Sequence, residues 1–147
     1  MTWLFDVNVL VAIADPEHVF HPSIHRWTAT QVYRTWATCP ITENGMIGVM
    51  SQQSYHGSRI TAPEAIETLR AMKAPQTWKH EFWPDSFSIT ESAMVLSGRI
   101  AGPKQLTDVY LAGLAKKNGG RLVTFDTSVA WHAVAGGSVE LIEVPAL

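Results

Sequence analysis

The sequence lacks the features of a membrane protein, of a disulfide scaffold and of a generally basic nucleic-acid-binding protein. No apolar stretch is long enough to span a bilayer. Cys39 is the only cysteine among 147 residues, so no intramolecular disulfide can form, which agrees with a reducing cytoplasm. The formal net charge is -2 at pH 7. Any contact with nucleic acid must therefore come from a local patch or from an assembled oligomer.

A secretory signal is also not expected. The segment from Val9 to Ala14 is apolar and ends in small residues that imitate a cleavage site. However, no Lys or Arg precedes it, and Asp6 interrupts the apolar run.

The composition predicts one well-packed domain spanning residues 1–147. Hydrophobic residues make up 46% of the chain and charged residues 16%, which is typical of a globular protein with a substantial core. Apolar strand patterns alternate with helical patterns, so we expect an α/β fold with a central parallel sheet of four to five strands and right-handed crossovers. The predicted strands lie in the opening stretch, at 36–42, at 80–83, at 121–125 and at 139–144, and the predicted helices begin near residues 7, 22, 43, 62, 89 and 106.

Several of these predicted elements have clear boundary signals. Asp15-Pro16 ends the first short helix, and the second runs toward Trp36. A loop is expected at 54–59 around Gly57, and Pro75 is expected to end the helix that Thr61 and Glu64 open as a capping box. The sequence from Ser88 to Glu91 resembles another capping box and predicts a further helix, with its apolar side formed by Ala93, Leu96 and Ile100.

The stretch at residues 3–14 organises the chain. It is almost continuously apolar and contains a single charge, Asp6. Such a run predicts a strand buried on both faces that passes directly into a short helix near Asp6 and Asn8. Burying a lone carboxylate is costly unless it is paired, hydrogen-bonded or bound to a metal. Asp6 is therefore a candidate for chemistry, with helix capping as the structural alternative.

Three further acids occupy comparable positions. Glu43 and Asp126 directly follow predicted strands, and Asp108 begins a predicted helix beside Thr107. In an open α/β sheet the ligand crevice lies at the carboxyl ends of the strands, so these acids and Asp6 are expected to converge there. Each acid alone also suits a helix start or a turn, whereas the ordered set favours a site.

Converging carboxylates require a positive charge. Two of them about 4 Å apart repel by roughly 1 to 4 kcal/mol at effective dielectric constants of 80 to 20. Oxygen ligands without His or Cys favour Mg2+ or Mn2+ over zinc. Paired ions of this kind activate water and stabilise the leaving oxygen in phosphodiester cleavage.

The motifs that carry these acids resemble those of the PIN-domain ribonucleases. They are FDVNVL around Asp6, CPITENG around Glu43, QLTDVYLAGLA around Asp108 and RLVTFD ending in Asp126. Within that group the chain is most similar to the toxins of VapBC toxin-antitoxin pairs, over nearly its whole length. The resemblance implies a three-layer α/β/α sandwich.

The resemblance also implies function. Asp6, Glu43, Asp108 and Asp126 would bind one or two Mg2+ or Mn2+ ions, while the polar groups Asn8, Thr107 and Thr124 would support them. The implied activity is metal-dependent endonucleolytic cleavage of RNA by water, which inhibits translation. The implied partners are RNA, a small cognate antitoxin and a second copy of the chain as a homodimer, with no membrane.

Two positions depart from the family pattern. Ser128 stands where many relatives carry a further acid, and Gly48 where many carry a basic residue.

The alternatives to a ribonuclease are a catalytically weak PIN-like RNA-binding or regulatory module and a haloacid-dehalogenase-type phosphatase. The phosphatase requires an acid at the position of Asn8. A phospho-receiver module would require an acidic pair at the first strand and a Lys after the last, and neither is present.

Other residues give weaker signals. His21 and His25 have helical spacing, but no Glu lies between them as in a zinc-binding HExxH motif. Trp27 and Tyr33 are candidates for an oligomer or antitoxin groove. Basic residues near the acidic segments are candidates for phosphate contact, namely Arg99, Lys104 and Arg121.

Overall fold

Strands and helices alternate along the chain in the computed structural model, which describes residues 1–52, 55, 60–74 and 77–147. The strands are β1 (Trp3–Phe5), β2 (Thr35–Thr38), β3 (Lys79–Phe82), β4 (Arg121–Val123) and β5 (Ile142–Glu143). The helices are α1 (Val7–Ala14), α2 (His21–Thr30), α3 (Pro40–Met50), α4 (Ala62–Lys73) and α5 (Leu106–Lys117). Short 3-10 helices occupy Ser97–Arg99, Pro103–Gln105, Trp131–Ala133 and Val139–Leu141.

The five strands form one parallel sheet in the order β3-β2-β1-β4-β5. In register, Trp3 of β1 lies opposite Trp36 of β2 on one side and opposite Arg121 of β4 on the other. The chain builds outward from β1 toward β3 and then returns to the other side, so the strand order reverses between β1 and β4. Ligands bind at such a reversal, at the carboxyl ends of the strands. The predicted fold class is confirmed.

Two apolar cores cover the two faces of the sheet. Leu4, Ala37 and Leu122 face a core that contains α5 and the C-terminal 3-10 helices. Their neighbours on the strands face the other core, which contains α1 to α4. Because successive strand residues point to opposite faces, buried residues on both faces explain the continuous apolar runs in the sequence. The arrangement is the predicted three-layer sandwich.

The second strand is shorter than predicted. It ends at Thr38, and Cys39 is the N-cap of α3, with Pro40 as the first helical residue. The prediction of a strand at 36–42 was wrong there because proline suits the first turn of a helix and cannot donate to a ladder. Glu43 therefore lies in the first turn of α3.

The helix predicted after Ser88 is not formed. The capping contacts are partly present, since the backbone N–H of Ser88 donates to Glu91 Oε1 at 3.2 Å. The chain then continues through turns to an isolated bridge between Val95 and Val134, and the N–H of Leu96 donates to the Ala133 carbonyl at 2.8 Å. Contacts with a distant segment therefore replace the local helical bonds.

Smaller differences concern element ends. The helix predicted to run toward Trp36 ends at Thr30, and residues 139–141 of the predicted last strand form a 3-10 turn before β5. The loop predicted at 54–59 lies outside the described residues except for Tyr55, as does the predicted helix end at Pro75. Within the described ranges, no helix is long and apolar enough to cross a bilayer.

Trp27 was predicted to line a groove, but its side chain is buried. Its ring packs edge-on against Trp3 and Phe5, with centroids 5.1 Å and 6.4 Å apart, and its indole N–H donates to Glu143 Oε1 at 3.2 Å. Trp27 is a core residue, whereas Tyr33 remains 53% exposed.

Candidate active site

Asp6 lies at the point where β1 turns into α1. It is the N-cap of α1, and its Oδ1 accepts a hydrogen bond from the backbone N–H of Val7 at 2.7 Å. Its Oδ2 accepts from the hydroxyl of Thr124 at 2.9 Å. Burial raises the pKa of Asp6 above its usual value, and the charge of Asp126 adds to that increase. Asp6 is therefore both a helix cap and a carboxylate whose charge is unfavourable where it lies.

Asp126 is held in the turn that follows β4. Its backbone N–H donates to the Thr124 hydroxyl at 3.1 Å, so Thr124 connects Asp126 to Asp6. Asp126 Oδ1 accepts from the Ser128 N–H at 2.7 Å and from the Ser128 hydroxyl at 2.6 Å. These bonds lower the pKa of Asp126, which therefore remains ionised.

Asp108 lies in the first turn of α5, near the same two aspartates. Burial raises its pKa to about 6, and the charges of Asp6 and Asp126 contribute to the shift. The structure therefore places three of the four predicted acids close enough for their charges to interact, near the reversal in strand order. A shared negative field with raised pKa values is typical of a functional site.

Glu43, the fourth predicted acid, has a different environment. Its Oε1 accepts a hydrogen bond from the buried hydroxyl of Thr38 at 2.6 Å. The same oxygen pairs with the ammonium group of Lys73 from α4. Glu43 does not contribute to the pKa shifts of the three aspartates. Its charge is compensated within the protein.

Thr38 and His80 complete a network around Glu43 that the sequence analysis missed. His80 Nε2 lies 2.8 Å from the Thr38 hydroxyl. Because that hydroxyl donates its only proton to Glu43, His80 must donate through Nε2, which fixes its tautomer. Burial and the charge of Lys73 lower the pKa of His80 to about 4, so the ring is neutral near pH 7. The sequence signal for this network is a His on the strand next to the one that precedes Glu43.

The remaining predicted site residues differ in exposure. Thr124 is 1% exposed and bridges two acids, whereas Asn8 and Thr107 are exposed to solvent. Arg121 begins β4 and so lies at the opposite end of that strand from Asp126. Arg99 donates to the carbonyl of His132 at 3.1 Å.

The donors around the three aspartates suit a hard cation. They are carboxylate and hydroxyl oxygens, which bind Mg2+ or Mn2+ better than they bind zinc. Within the described ranges, no three His, Cys, Asp or Glu side chains converge closely enough to enclose an ion in this conformation. The chemistry of the donor set therefore fits the predicted metals, and the carboxylates would have to turn toward the ion.

The rings of His21 and His25 are in contact on α2, with centroids 4.1 Å apart and planes tilted by 51°. His21 Nδ1 lies 2.7 Å from the Ala12 carbonyl, which fixes the orientation of that ring. Among the described residues no third His, Cys, Asp or Glu joins them.

The fold is that of the PIN-domain toxins. One solved structure with the same fold is VapC20 of Mycobacterium tuberculosis, a toxin that cleaves the sarcin-ricin loop; it has a TM-score of 0.60 and 13% identity, over 90% of this chain and 95% of that one. Another is VapBC2 from Rickettsia felis bound to a DNA fragment from its promoter, with a TM-score of 0.56 and 14% identity over 99% and 100% of the two chains. No family model matches the chain.

Sequence similarity to characterised proteins is more specific. Ribonuclease VapC44 of Mycobacterium tuberculosis is 44% identical over 138 residues, which cover 94% of this chain and 95% of that protein. Ribonuclease VapC39 of the same organism is 39% identical over 144 residues, or 98% and 99% of the two chains. The chain belongs to the VapC family of ribonuclease toxins, which act in VapBC toxin-antitoxin systems.

Proposed function

We propose that this protein is a Mg2+- or Mn2+-dependent endoribonuclease that cleaves RNA phosphodiester bonds with water as the nucleophile. The observation that carries the proposal is the electrostatic interaction of Asp6 and Asp126, at the carboxyl ends of β1 and β4, with Asp108 in the first turn of α5. The charges of these three carboxylates interact, and no Lys or Arg among the described residues contributes to their pKa shifts, which favours uptake of a divalent ion. Family membership supports the choice of RNA as the substrate.

The residues of the chain would divide the work as follows. Asp6, Asp108 and Asp126 would hold one or two ions, with Glu43 as a further candidate ligand. Thr124 would orient Asp6, since its hydroxyl donates to Asp6 Oδ2, and Ser128 would keep Asp126 ionised through two hydrogen bonds to Oδ1. The acids would position the metal ions and would not act as covalent nucleophiles.

A bound divalent ion supplies a lowered pKa for water and stabilises the charge on the leaving oxygen. The backbone would bring the acids to one edge of the sheet before substrate arrives, because Asp6 caps α1 and Asp126 lies in the turn after β4, so that only the carboxylates would have to turn toward the ion. Such preorganisation limits the reorganisation required in the transition state.

An RNA cleavage assay tests the proposal. We expect cleavage of total RNA in the presence of Mn2+ and none in excess EDTA, with recovery when Mn2+ is restored. Cleavage that continues unchanged in EDTA would contradict the metal dependence. RNA binding without any cleavage, with Mn2+ or Mg2+ present, would favour a PIN-like binding module instead.

The proposed partners are a small cognate antitoxin and a second copy of the chain. A VapBC complex among the proteins with the same fold supports the antitoxin partner. Homodimerisation stays a prediction. Light scattering coupled to gel filtration would test it, and a monomeric mass at working concentrations would contradict it.

A further inference from the structure

An aromatic pair includes the residue that precedes Asp126 at the carboxyl end of β4. Phe125 immediately precedes Asp126, and its ring centroid is 4.6 Å from that of Phe20, the N-cap of α2. Both rings are half-buried, so each presents some surface to solvent. His18 extends the row, with its ring centroid 5.7 Å from that of Phe20. Aromatic surface is therefore available at the edge of the sheet where the acids meet.

The segment that carries Phe20 is fixed by its own hydrogen bonds. Asp15 accepts from the N–H groups of Glu17 and His18 at 2.9 Å and 3.1 Å, and His18 Nδ1 accepts from the Phe20 N–H at 3.0 Å. The buried sides of Phe20 and Phe125 pack against the core that contains α1 to α4. The rings are therefore oriented before any ligand arrives, which reduces the entropy lost on binding.

The surrounding charges indicate which part of RNA these rings would contact. The segment at 15–20 contains Glu17 and no Lys or Arg, so it offers phosphate no cationic side chain. The flat faces of aromatic side chains instead bind unpaired bases by stacking, largely without regard to sequence. Stacking also offers affinity to a protein whose net charge of -2 provides no general attraction for a polyanion.

We propose that Phe20 and Phe125 form a stacking subsite for an unpaired base of the RNA substrate, next to the cleaved phosphodiester. The subsite selects single-stranded RNA because a base within a duplex cannot reach the rings. It rests on the proposed function for the identity of the ligand. Its affinity, however, is measurable without cleavage.

The test uses a single-stranded oligoadenylate of about 12 nucleotides that carries one internal 2-aminopurine, with Ca2+ replacing Mn2+. We expect quenching of 2-aminopurine fluorescence on binding. Phe125→Leu and Phe20→Leu should each weaken binding about tenfold and reduce the quenching, since both remove a ring while keeping an apolar side chain. Phe125→Tyr should bind within about twofold of the unchanged protein because it retains the ring.

Tyr33→Leu is the matched control. It removes a ring that is 53% exposed at the opposite edge of the sheet, and it should not change the affinity. Thermal unfolding of each variant separates a loss of stacking from a loss of fold, and Phe125→Tyr guards against an unfolded Leu variant. Unchanged affinity and quenching in both folded Leu variants would overturn the proposal and leave the exposed rings to a protein partner.

The outcome is distinguishable from failure of the nuclease proposal. Suppose that the wild-type protein quenches 2-aminopurine fluorescence, that Phe125→Leu reduces the quenching, and that neither protein cleaves RNA with Mn2+. The subsite is then supported and the catalytic proposal fails. If the wild-type protein cleaves with Mn2+ while both Leu variants bind and cleave as well as it does, only the subsite fails.

Discussion

The two ends of the acidic edge differ in how their charge is compensated. Near β1 and β4, Asp6 and Asp108 have raised pKa values because each lies partly buried close to other aspartates. Near β2 and β3, Glu43 pairs with Lys73 and accepts a hydrogen bond from Thr38. Under the proposed function the first region would take up a divalent ion, whereas in the second Lys73 already lies beside the carboxylate. Burial of a carboxylate is thus tolerated in two ways within one sheet edge.

The largest expected effect comes from removing a charge in the uncompensated region. Asp126→Asn keeps the shape of the side chain and should lower the rate of RNA cleavage with Mn2+ at least about 100-fold, because a ligand for the ion loses its charge. Asp126 is exposed, so circular dichroism should show an intact fold. Glu140→Gln removes an equally exposed acid as the control. Equal losses in both variants would contradict the assignment.

Removing a hydrogen bond near Glu43 should lower the stability of the fold. Thr38→Val keeps the volume but leaves the His80 Nε2–H and one bond to Glu43 unsatisfied, in a position that is 0% exposed. We expect the free energy of unfolding to fall by about 1–3 kcal/mol in urea titrations. Thr30→Val at an exposed position should change it by less than about 0.5 kcal/mol. A neutral Thr38→Val would show that the network does not stabilise the fold.

Protons should compete with Mn2+ for Asp108, so the affinity for Mn2+ should depend on pH. With a pKa of about 6, Asp108 is protonated below that pH and cannot bind an ion. The dissociation constant for Mn2+, measured by calorimetry, should rise about tenfold for each pH unit below 6 and level off above pH 7. A constant affinity from pH 5 to pH 7 would contradict a role for Asp108.

The smallest expected effect is a gain in stability without divalent ions. The folded-state pKa of Asp108 exceeds the unfolded value near 3.8, so the folded chain binds the extra proton and loses stability as pH rises through 6. Asp108→Asn should therefore raise the free energy of unfolding by about 1 kcal/mol at pH 7.5, a figure reduced because the group is only half-buried. The gain should vanish at pH 4. A loss at pH 7.5 would mean that Asp108 stabilises the apoprotein.

The sheet and the positions of the acids were predictable because local patterns determine them. Apolar runs that end in Asp6 and Asp126 reflect strands buried on both faces, and Asn118, which two glycines follow, is the C-cap of α5. The convergence of three aspartates follows from the parallel sheet, since its carboxyl ends meet at one edge.

The surroundings of Glu43 were not predictable from the sequence. Lys73 lies on another helix and His80 on another strand, so only the folded chain brings them to that carboxylate. The segment after Ser88 shows how a local helix signal can be overridden by a long-range contact. Its capping signal is real, but the bridge between Val95 and Val134 outcompetes the helix that the signal predicts. Long-range contacts override local preference in both places.

The double use of Asp6 has a consequence for how such a toxin loses its activity over generations. One of its oxygens caps a helix and the other accepts a hydrogen bond from Thr124 after the neighbouring strand, so a substitution would affect the fold together with the proposed chemistry. The Asp126 side chain accepts hydrogen bonds only from Ser128, within its own turn, among the described residues. A lineage drifting toward a harmless, still folded descendant would therefore be expected to discard Asp126 first.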